Sequence, residues 1–243
     1  MSKLENIINK FPKKIKKLNK KQKLISDTFT QIWHEELRSR KKYNLIESFN
    51  HNFSAKSKFT EKIKKIKTLE LGAGIGAQLK YENLQNQEYY CIELRSNMIE
   101  ELRKLNKKVK IIKGDVQKKT NFKDNFFDRI NVIHVLEHLP KLPDCINEVH
   151  RILKPSGIFQ VVLPCDPGFL YSLGRRLSAK KIFEQKFKQN YDWFIKREHI
   201  NSADEIIQLL KEKFYIVEEK YFPFFIKIID ANLCVGLTLK KNE

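Results

Sequence analysis

The sequence predicts an α/β fold: a seven-stranded sheet with helices on both faces and a helical extension at the N-terminus. Three observations carry this prediction. Short apolar runs recur from residue 65 onward, segments of helical period lie between them, and the last two runs have no long segment between them. Alternating strands and helices imply right-handed crossovers and a parallel sheet covered on both faces. The last two runs should pair antiparallel, after five parallel strands.

The predicted elements follow in chain order. The strands are Ile66–Leu71, Tyr89–Leu94, Val109–Ile112, Ile130–Val135, Ile158–Leu163, Tyr215–Phe222 and Asn232–Leu239. Helical periods are clearest at Met98–Leu105, Leu142–Leu153 and Ala203–Phe214. Ser202 is the expected N-cap of the last helix, since a serine oxygen can accept hydrogen bonds from first-turn amides.

The N-terminal region has a different character. Residues 1–24 hold nine lysines and a single acid, Glu5. An apolar stripe of helical period runs from Pro12 towards Leu37 and predicts one or two amphipathic helices over residues 12–40. We therefore divide the chain into a basic helical extension, residues 1–62, and a main domain, residues 63–243. The basic helix either caps the domain with its lysines in solvent or contacts anionic lipid.

Composition narrows the class of protein. The formal charge of +19 favours an anionic partner, whether nucleic acid, a membrane face or a phosphorylated substrate, although lysine enrichment from an AT-rich genome gives the same number. The four scattered cysteines form no CxxC pair, so we expect no metal site, no disulfide framework and a reducing compartment. With no apolar run of about 20 residues and no signal peptide, a cytoplasmic location follows, with the inner membrane face as an open alternative.

A glycine-rich loop follows the first predicted strand. Residues 69–76 read LELGAGIG, and glycines there let the backbone turn tightly and approach a ligand. The G-x-G-x-G spacing lacks the later glycine of the dinucleotide loop and the Lys-Ser/Thr of a phosphate loop. By itself the run is a weak signal, and a plain tight turn is the alternative.

Two carboxylates strengthen the signal from the glycines. Glu93 ends the second predicted strand and Asp115 follows the third. The carboxyl ends of parallel strands meet at one sheet edge, where nucleotide ligands bind. Glu93 can accept hydrogen bonds from ribose hydroxyls, and Asp115 from an exocyclic amine. Their joint placement with the glycine loop predicts a nucleoside-binding edge.

The segments LELGAGIG, CIELRSNM, KGDV, FDRINVIHVLEHL and LKPSGIFQVVLP resemble class I S-adenosylmethionine (SAM)-dependent methyltransferases of the type 11 group. The resemblance runs in order from about residue 66 to residue 164, and it implies a Rossmann-like fold with SAM as cofactor. Phe49-Asn50-His51 and residues 197–201 are also similar to a bacterial subgroup associated with surface-polysaccharide gene clusters.

The resemblance implies residue roles at the methionine end of the cofactor. Gly72, Ala73 and Gly74 would form the loop beneath the methionine moiety, with Glu70 holding its amino group directly or through water. Ile133, at the end of the fourth strand, would lie near the sulfonium.

The resemblance also implies roles at the nucleoside end. Glu93 would bind the ribose hydroxyls, and Asp115 the adenine N6 amine with Val116 beside it. Leu94 or Met98 would pack on the adenine ring.

Histidine is the side chain that most readily accepts a proton near neutral pH, and three histidines are candidates for a general base. His138 is more typical of a residue that braces the start of the next helix. His134, at the tip of the fourth strand, and His199, outside the cofactor loops, are therefore the predicted catalytic residues.

Residues 166–200 exceed any simple connection between a strand and a helix, and we expect them to bind the acceptor. The segment mixes cations such as Arg175 and Arg176 with Tyr191, Trp193 and Phe194, a combination that suits an anionic or phosphorylated acceptor. The alternative is a basic amphipathic helix that only covers the sheet edge.

The leading functional hypothesis is methyl transfer to a small-molecule or glycan acceptor, such as a sugar hydroxyl in surface-polysaccharide biosynthesis. An RNA methyltransferase is the alternative that the charge favours, but the fourth strand lacks the Asp/Asn-Pro-Pro-aromatic pattern of enzymes that methylate nucleic-acid amines. Nucleic acid is therefore the less favoured partner. A non-catalytic SAM-fold scaffold at a membrane is the alternative from another class.

Overall fold

The computed structural model describes residues 3–33, 43–55, 65–105 and 108–242. Its strands are β1 (Ile66–Leu71), β2 (Gln87–Glu93), β3 (Lys110–Lys113), β4 (Phe127–Ile133), β5 (Leu153–Pro164), β6 (Phe214–Phe222) and β7 (Cys234–Lys241). Its α-helices are α1 (Lys3–Ile8), α2 (Lys20–Ile32), α3 (Asn44–Ala55), α4 (Ser96–Leu105), α5 (Leu142–Ile152), α6 (Phe169–Arg175), α7 (Lys181–Phe187), α8 (Asp192–Glu198) and α9 (Ala203–Lys213). None of the described helices is long and apolar enough to cross a membrane.

The seven strands form one sheet in the order β3-β2-β1-β4-β5-β7-β6. Strands β1 to β5 run parallel, and β7 inserts antiparallel between β5 and β6. This arrangement confirms the predicted fold class. The strand order reverses at β1, which lies between β2 and β4. Ligands bind at such a reversal, outside the carboxyl ends of the strands.

Local sequence explains most of the element bounds. β1 has the predicted bounds, and Ser202 caps α9 through a capping box in which its hydroxyl accepts from the amide of Glu205. β5 begins at Leu153, earlier than predicted, because Leu153 already pairs with Phe127 of β4 across a register shift. On the sheet, α3 packs against β4, β5 and β7, while α5 contacts β5 and α9 contacts β6.

The N-terminal helix starts later than predicted. Residues 12–19 are not helical, so the prediction of a helix from Pro12 is wrong. α2 begins at Lys20, where Asn19 and Gln22 form a capping box. Contacts of Lys13 explain part of the difference. Its amine donates to the carbonyl of Ile200 and forms an ion pair with Glu205, and these contacts hold the stretch before α2 against the main domain. The predicted stripe continues to Leu37, which lies outside the described residues.

α2 and the 166–200 segment share a hydrophobic core of their own. Its buried members are Ile25, Phe29, Ile32, Ala179, Phe183, Tyr191 and Phe194. The ring of Phe29 makes edge contacts with four other aromatic rings of this cluster. The segment thus folds as a helical layer together with α2. The division of the chain at residues 62 and 63 stays a prediction, because both residues lie outside the described part of the chain.

Candidate active site

The glycine loop leaves β1 in a conformation that side chains rarely adopt. Gly72 and Gly74 have φ angles of +67° and +55°. A Cβ at Gly72 would lie 2.6 Å from Cγ2 of Val135, so glycine is required there by packing. A Cβ at Gly74 would meet no atom within 4 Å. The backbone at Gly74 therefore borders open space at the edge where a ligand is expected, with buried Ala73 between the two glycines.

Glu93 joins the tip of β2 to this loop. Its Oε2 accepts a hydrogen bond from the amide of Gly74 at 2.8 Å. Its Oε1 accepts from the amides of Leu94 and Arg95, at 2.9 Å each. The carboxylate is thus held in one orientation beside the open space at Gly74.

The nucleoside end of the predicted site lies at the tips of β2 and β3. Oδ1 of Asp115 accepts from the amide and the side chain of Gln117, at 3.0 and 3.1 Å. Leu94 is 59% exposed, whereas Met98 is only 6% exposed. Of these two apolar residues, Leu94 is the one that presents free surface at this edge. Val116 is partly buried against the main core.

Glu70 lies within a buried polar cluster on the sheet. Its Oε2 accepts hydrogen bonds from the hydroxyl of Tyr89, at 2.9 Å, and from the thiol of Cys91. Burial raises the pKa of Glu70 to about 8, outweighing the hydrogen bond from Tyr89. A buried ion pair between Glu82 and Arg129 lies nearby. Sequence reasoning missed these partners, although in-register pairing of Glu70 with Cys91 follows from the parallel strands.

The tip of β4 carries a histidine and a buried carboxylate. His134 directly follows Ile133 and has a φ of +53°, a strained value for a residue with a side chain. Its Nδ1 lies 3.5 Å from Oε1 of Glu137. Burial alone would raise the pKa of Glu137, but the hydrogen bond from His134 and the nearby histidine charges lower it to about 2. Residues held in strained backbone conformations cluster at functional sites.

The structure brings His199 to the same place, from the far end of the 166–200 segment. Its Nδ1 lies 2.8 Å from Oδ2 of Asp166, and the ring centroids of His138 and His199 are 5.1 Å apart. Although burial opposes ionisation, the hydrogen bond from His199 and the charges of His199 and Arg175 lower the pKa of Asp166. Sequence reasoning missed Asp166 and Glu137, because neither acid has a distinctive spacing from its histidine.

The aromatic residues of the segment do not line this site as expected. Tyr191 and Phe194 are buried in the core shared with α2. Arg175 donates to Asp166 at 2.8 Å, so its charge is already matched, while Arg176 is exposed. The physical reason is that the aromatic rings supply the apolar contacts which hold this helical layer together.

A cleft of about 480 Å³ lies between α2, Arg95 and the end of α8. Its lining includes four cations and two acids: Lys17, Lys23, Arg95 and Arg197, with Asp27 and Glu198. Arg95 follows the tip of β2 by two residues, and Glu198 precedes His199. The cleft therefore borders both the predicted cofactor edge and the histidine cluster, and its lining carries more positive than negative charge.

The strand order defines a Rossmann-like α/β domain, and a glycine loop with acids at successive strand tips is typical of a nucleoside-binding edge in such a domain. Residues 69–161 match the model of the type 11 methyltransferase family, which is described as a methyltransferase domain. Residues 69–161 are therefore similar to the methyltransferase domain of this group. The match confirms the predicted resemblance to type 11 methyltransferases over this stretch, and the sheet order agrees with the predicted fold.

Sterol 24-C-methyltransferases are similar to part of the chain. Sterol 24-C-methyltransferases from Aspergillus fumigatus and Yarrowia lipolytica are 33% and 32% identical over 104 residues each. In both comparisons the match covers 40% of this chain, and it spans only 27% of the length of the relative. The likeness is thus confined to one part of each protein.

Solved structures share the fold over most of the chain. The protein PH0226 from Pyrococcus horikoshii superposes with a TM-score of 0.62 at 21% identity, covering 87% of this chain and 96% of that one. The N-methyltransferase NodS from Bradyrhizobium japonicum, solved with S-adenosyl-L-homocysteine, has a TM-score of 0.60 at 15% identity, covering 90% and 99%. At these identities the likeness establishes the fold alone.

Proposed function

We propose that the protein transfers the methyl group of SAM to a hydroxyl of a small-molecule or glycan acceptor. The single observation that carries the proposal is the pairing of Glu93 with the amide of Gly74 beside open space. A fixed carboxylate and a side-chain-free backbone at the reversal point of a parallel sheet are what a ribose and a methionine moiety require.

The residues present fit the cofactor. Glu93 is held by three amides and can accept bonds from the ribose hydroxyls. Asp115 and Leu94 lie at neighbouring strand tips, with a carboxylate for the adenine amine and an exposed apolar surface for the ring. Of the residues assigned to the cofactor, Glu70 is the least directly available, because one of its oxygens already accepts a hydrogen bond from Tyr89.

SAM supplies an activated methyl group, so the protein must orient the acceptor and remove a proton. Orientation alone can lower a barrier by about 7–11 kcal/mol, and a general base adds roughly 10²–10⁴-fold. His134 and His199 both lie at this edge. Asp166 accepts a hydrogen bond from Nδ1 of His199, which leaves Nε2 of the same ring free to accept a proton. His134 lies on the strand tip itself, one residue after Ile133.

The basic cleft supports an anionic acceptor. Lys17, Lys23, Arg95 and Arg197 line it against only two acids, and cations that converge on a cleft raise the local concentration of anionic ligands. A cleft of about 480 Å³ has the size of a small-molecule site. A sugar carrying a phosphate or carboxylate meets both conditions, and surface-polysaccharide biosynthesis is one process that uses such sugars.

An RNA acceptor and a membrane surface are the competing partners, since the +19 charge suits either polyanion. The proposal is tested by incubating the protein with methyl-labelled SAM and a panel of nucleotide sugars, total RNA, and vesicles containing anionic lipid and glycolipid. Label transferred to a sugar hydroxyl is the expected result. Transfer to RNA alone would replace the proposal with its alternative. Binding to vesicles without transfer to any acceptor would favour a scaffold.

A further inference from the structure

Three side chains beside Glu198, a residue of the cleft lining, could hold a metal ion. Glu137 and His138 follow the tip of β4, and His199 ends α8. One ligand atom from each lies within 4.8 Å of the others. A four-coordinate ion with bonds of about 2.1 Å holds its ligands ~3.4 Å apart, so a contraction of at most ~1.4 Å would close the site.

The second nitrogen of each histidine already has a partner. Nδ1 of His138 donates to the carbonyl of Glu198 at 2.6 Å, and Nδ1 of His199 donates to Asp166 at 2.8 Å. A carbonyl can only accept, so in the neutral ring of His138 the lone pair is on Nε2. Metal-binding histidines characteristically donate their other N–H to a carboxylate or a backbone carbonyl. Both histidines have the orientation and tautomer that a metal requires.

Glu137 provides an independent indication of a ligand. Its side chain is 2% exposed, and Oε1 lies 3.5 Å from His134 and 3.8 Å from His138. Oε2 is buried and has no hydrogen-bond partner among the described residues. A buried carboxylate oxygen without a partner costs about 1–3 kcal/mol or more, and a cation at this position would remove the penalty.

We propose that Glu137, His138 and His199 bind a divalent transition-metal ion next to Glu198, at one side of the proposed acceptor cleft. Two imidazoles and one carboxylate are a ligand set for zinc or ferrous iron that leaves positions open, whereas magnesium prefers oxygen ligands. The sequence alone predicts no metal, because about sixty residues separate His138 from His199 and only the fold brings them together.

The site gives the two predicted catalytic histidines different roles. His199 becomes a metal ligand, and His134 remains as the proton acceptor. The metal would hold the acceptor oxygen and lower the pKa of its hydroxyl. The proton passes to His134, and the oxygen forms a bond to the methyl carbon as the carbon–sulfur bond breaks. This catalytic role rests on the proposed function, but metal binding itself does not.

The test is calorimetric titration of Zn²⁺ into the full chain after dialysis against a chelator. One Zn²⁺ per chain is expected for the wild type. His199→Gln and Glu137→Gln should each weaken zinc affinity by at least about tenfold, and Asp166→Asn by roughly 10- to 100-fold through loss of the partner of His199. His150→Gln is the matched control, because His150 packs against Phe214 away from the cluster and should leave zinc affinity unchanged.

A wild-type protein that takes up no Zn²⁺ would overturn the proposal, as would unchanged affinity in His199→Gln. If buried Glu137→Gln fails to fold by circular dichroism, His199→Gln and Asp166→Asn still decide the question. SAM is titrated into the same samples. SAM binding without zinc binding rejects the metal site alone, and zinc binding without SAM binding rejects the proposed function alone.

Discussion

Asp166 holds His199 by a hydrogen bond of 2.8 Å from the ring Nδ1 to the carboxylate. The pair joins the end of β5 to the end of α8, two points that are 33 residues apart in the chain. The same carboxylate oxygen accepts from Arg175. Asp166 is therefore the residue that orients the ring of His199.

The first prediction concerns this positioning. Asp166→Asn should lower kcat by about tenfold or more and change SAM affinity little, because His199 loses its orientation and preferred tautomer. Steady-state kinetics with the acceptor found in the labelling screen measures both quantities. Asp192→Asn, which alters an exposed carboxylate paired with Lys180, is the control and should keep wild-type kinetics. An unchanged kcat in Asp166→Asn would remove His199 from the mechanism.

The second prediction concerns Glu70 and stability. Since burial raises its pKa to about 8, the folded state favours protonated Glu70 more than the unfolded state does. The stability from this group is present below about pH 4.5 and is lost as the pH rises towards 8. Glu70→Gln keeps a neutral side chain, so its free energy of unfolding should fall less over that range.

Urea denaturation of wild type and Glu70→Gln at a series of pH values from 5 to 9 gives the comparison. Glu100→Gln, which changes an exposed glutamate on α4, is the control and should follow the wild-type curve. Parallel curves for wild type and Glu70→Gln would mean that Glu70 is ionised throughout.

The third prediction separates two neighbouring glycines. Gly72→Ala places a Cβ against Val135 on a left-handed backbone. It should lower the free energy of unfolding by roughly 2–5 kcal/mol, of which about 1–3 comes from overpacking and about 1–2 from the backbone. Gly74→Ala meets no neighbour and should cost only the ~1–2 kcal/mol of the left-handed backbone. Its methyl group enters the proposed cofactor space, so SAM affinity should fall at least tenfold. Thermal unfolding and calorimetry on both variants distinguish a folding role from a binding role.

The fourth prediction concerns the acceptor. Changing Lys17 and Lys23 together to alanine should raise the KM for an anionic acceptor several-fold and leave SAM affinity intact, since both lysines line the cleft. Lys21→Ala, on the same helix as Lys23 but not in the cleft lining, should leave the KM unchanged. An equal rise in KM in both variants would indicate a general effect of charge and not a site.

The sequence could predict the elements that depend on local patterns. The glycine loop, the acids at strand tips and the capping box of Ser202 act over a few residues, and the structure has them where the pattern indicates. Helix starts that depend on distant contacts were harder to predict, as the non-helical stretch after Pro12 illustrates. Ile7 is similar: it belongs to the main core, although its segment is predicted to be an extension.

The candidate site likewise combines residues that local patterns predict with residues that only the fold brings together. Glu93 and Asp115 could be selected because each directly follows a strand. The clustering of Glu137 with His199 depends on how residues 166–200 fold back, and no spacing in the sequence encodes it. The aromatic residues of that segment were assigned to the acceptor, but they form a core with α2 because burial of large rings stabilises the helical layer.

The central claim is that the edge formed by Gly74, Glu93 and Asp115 binds SAM, and calorimetric titration of SAM into wild type, Glu93→Ala and Asp115→Ala tests it most directly. Loss of a hydrogen bond to a buried ligand group costs about 1–3 kcal/mol, so each variant should bind SAM roughly 5- to 150-fold more weakly than wild type. Asp144→Ala, an exposed carboxylate in the first turn of α5, should bind SAM as the wild type does. Unchanged SAM affinity in both Glu93→Ala and Asp115→Ala would contradict the account.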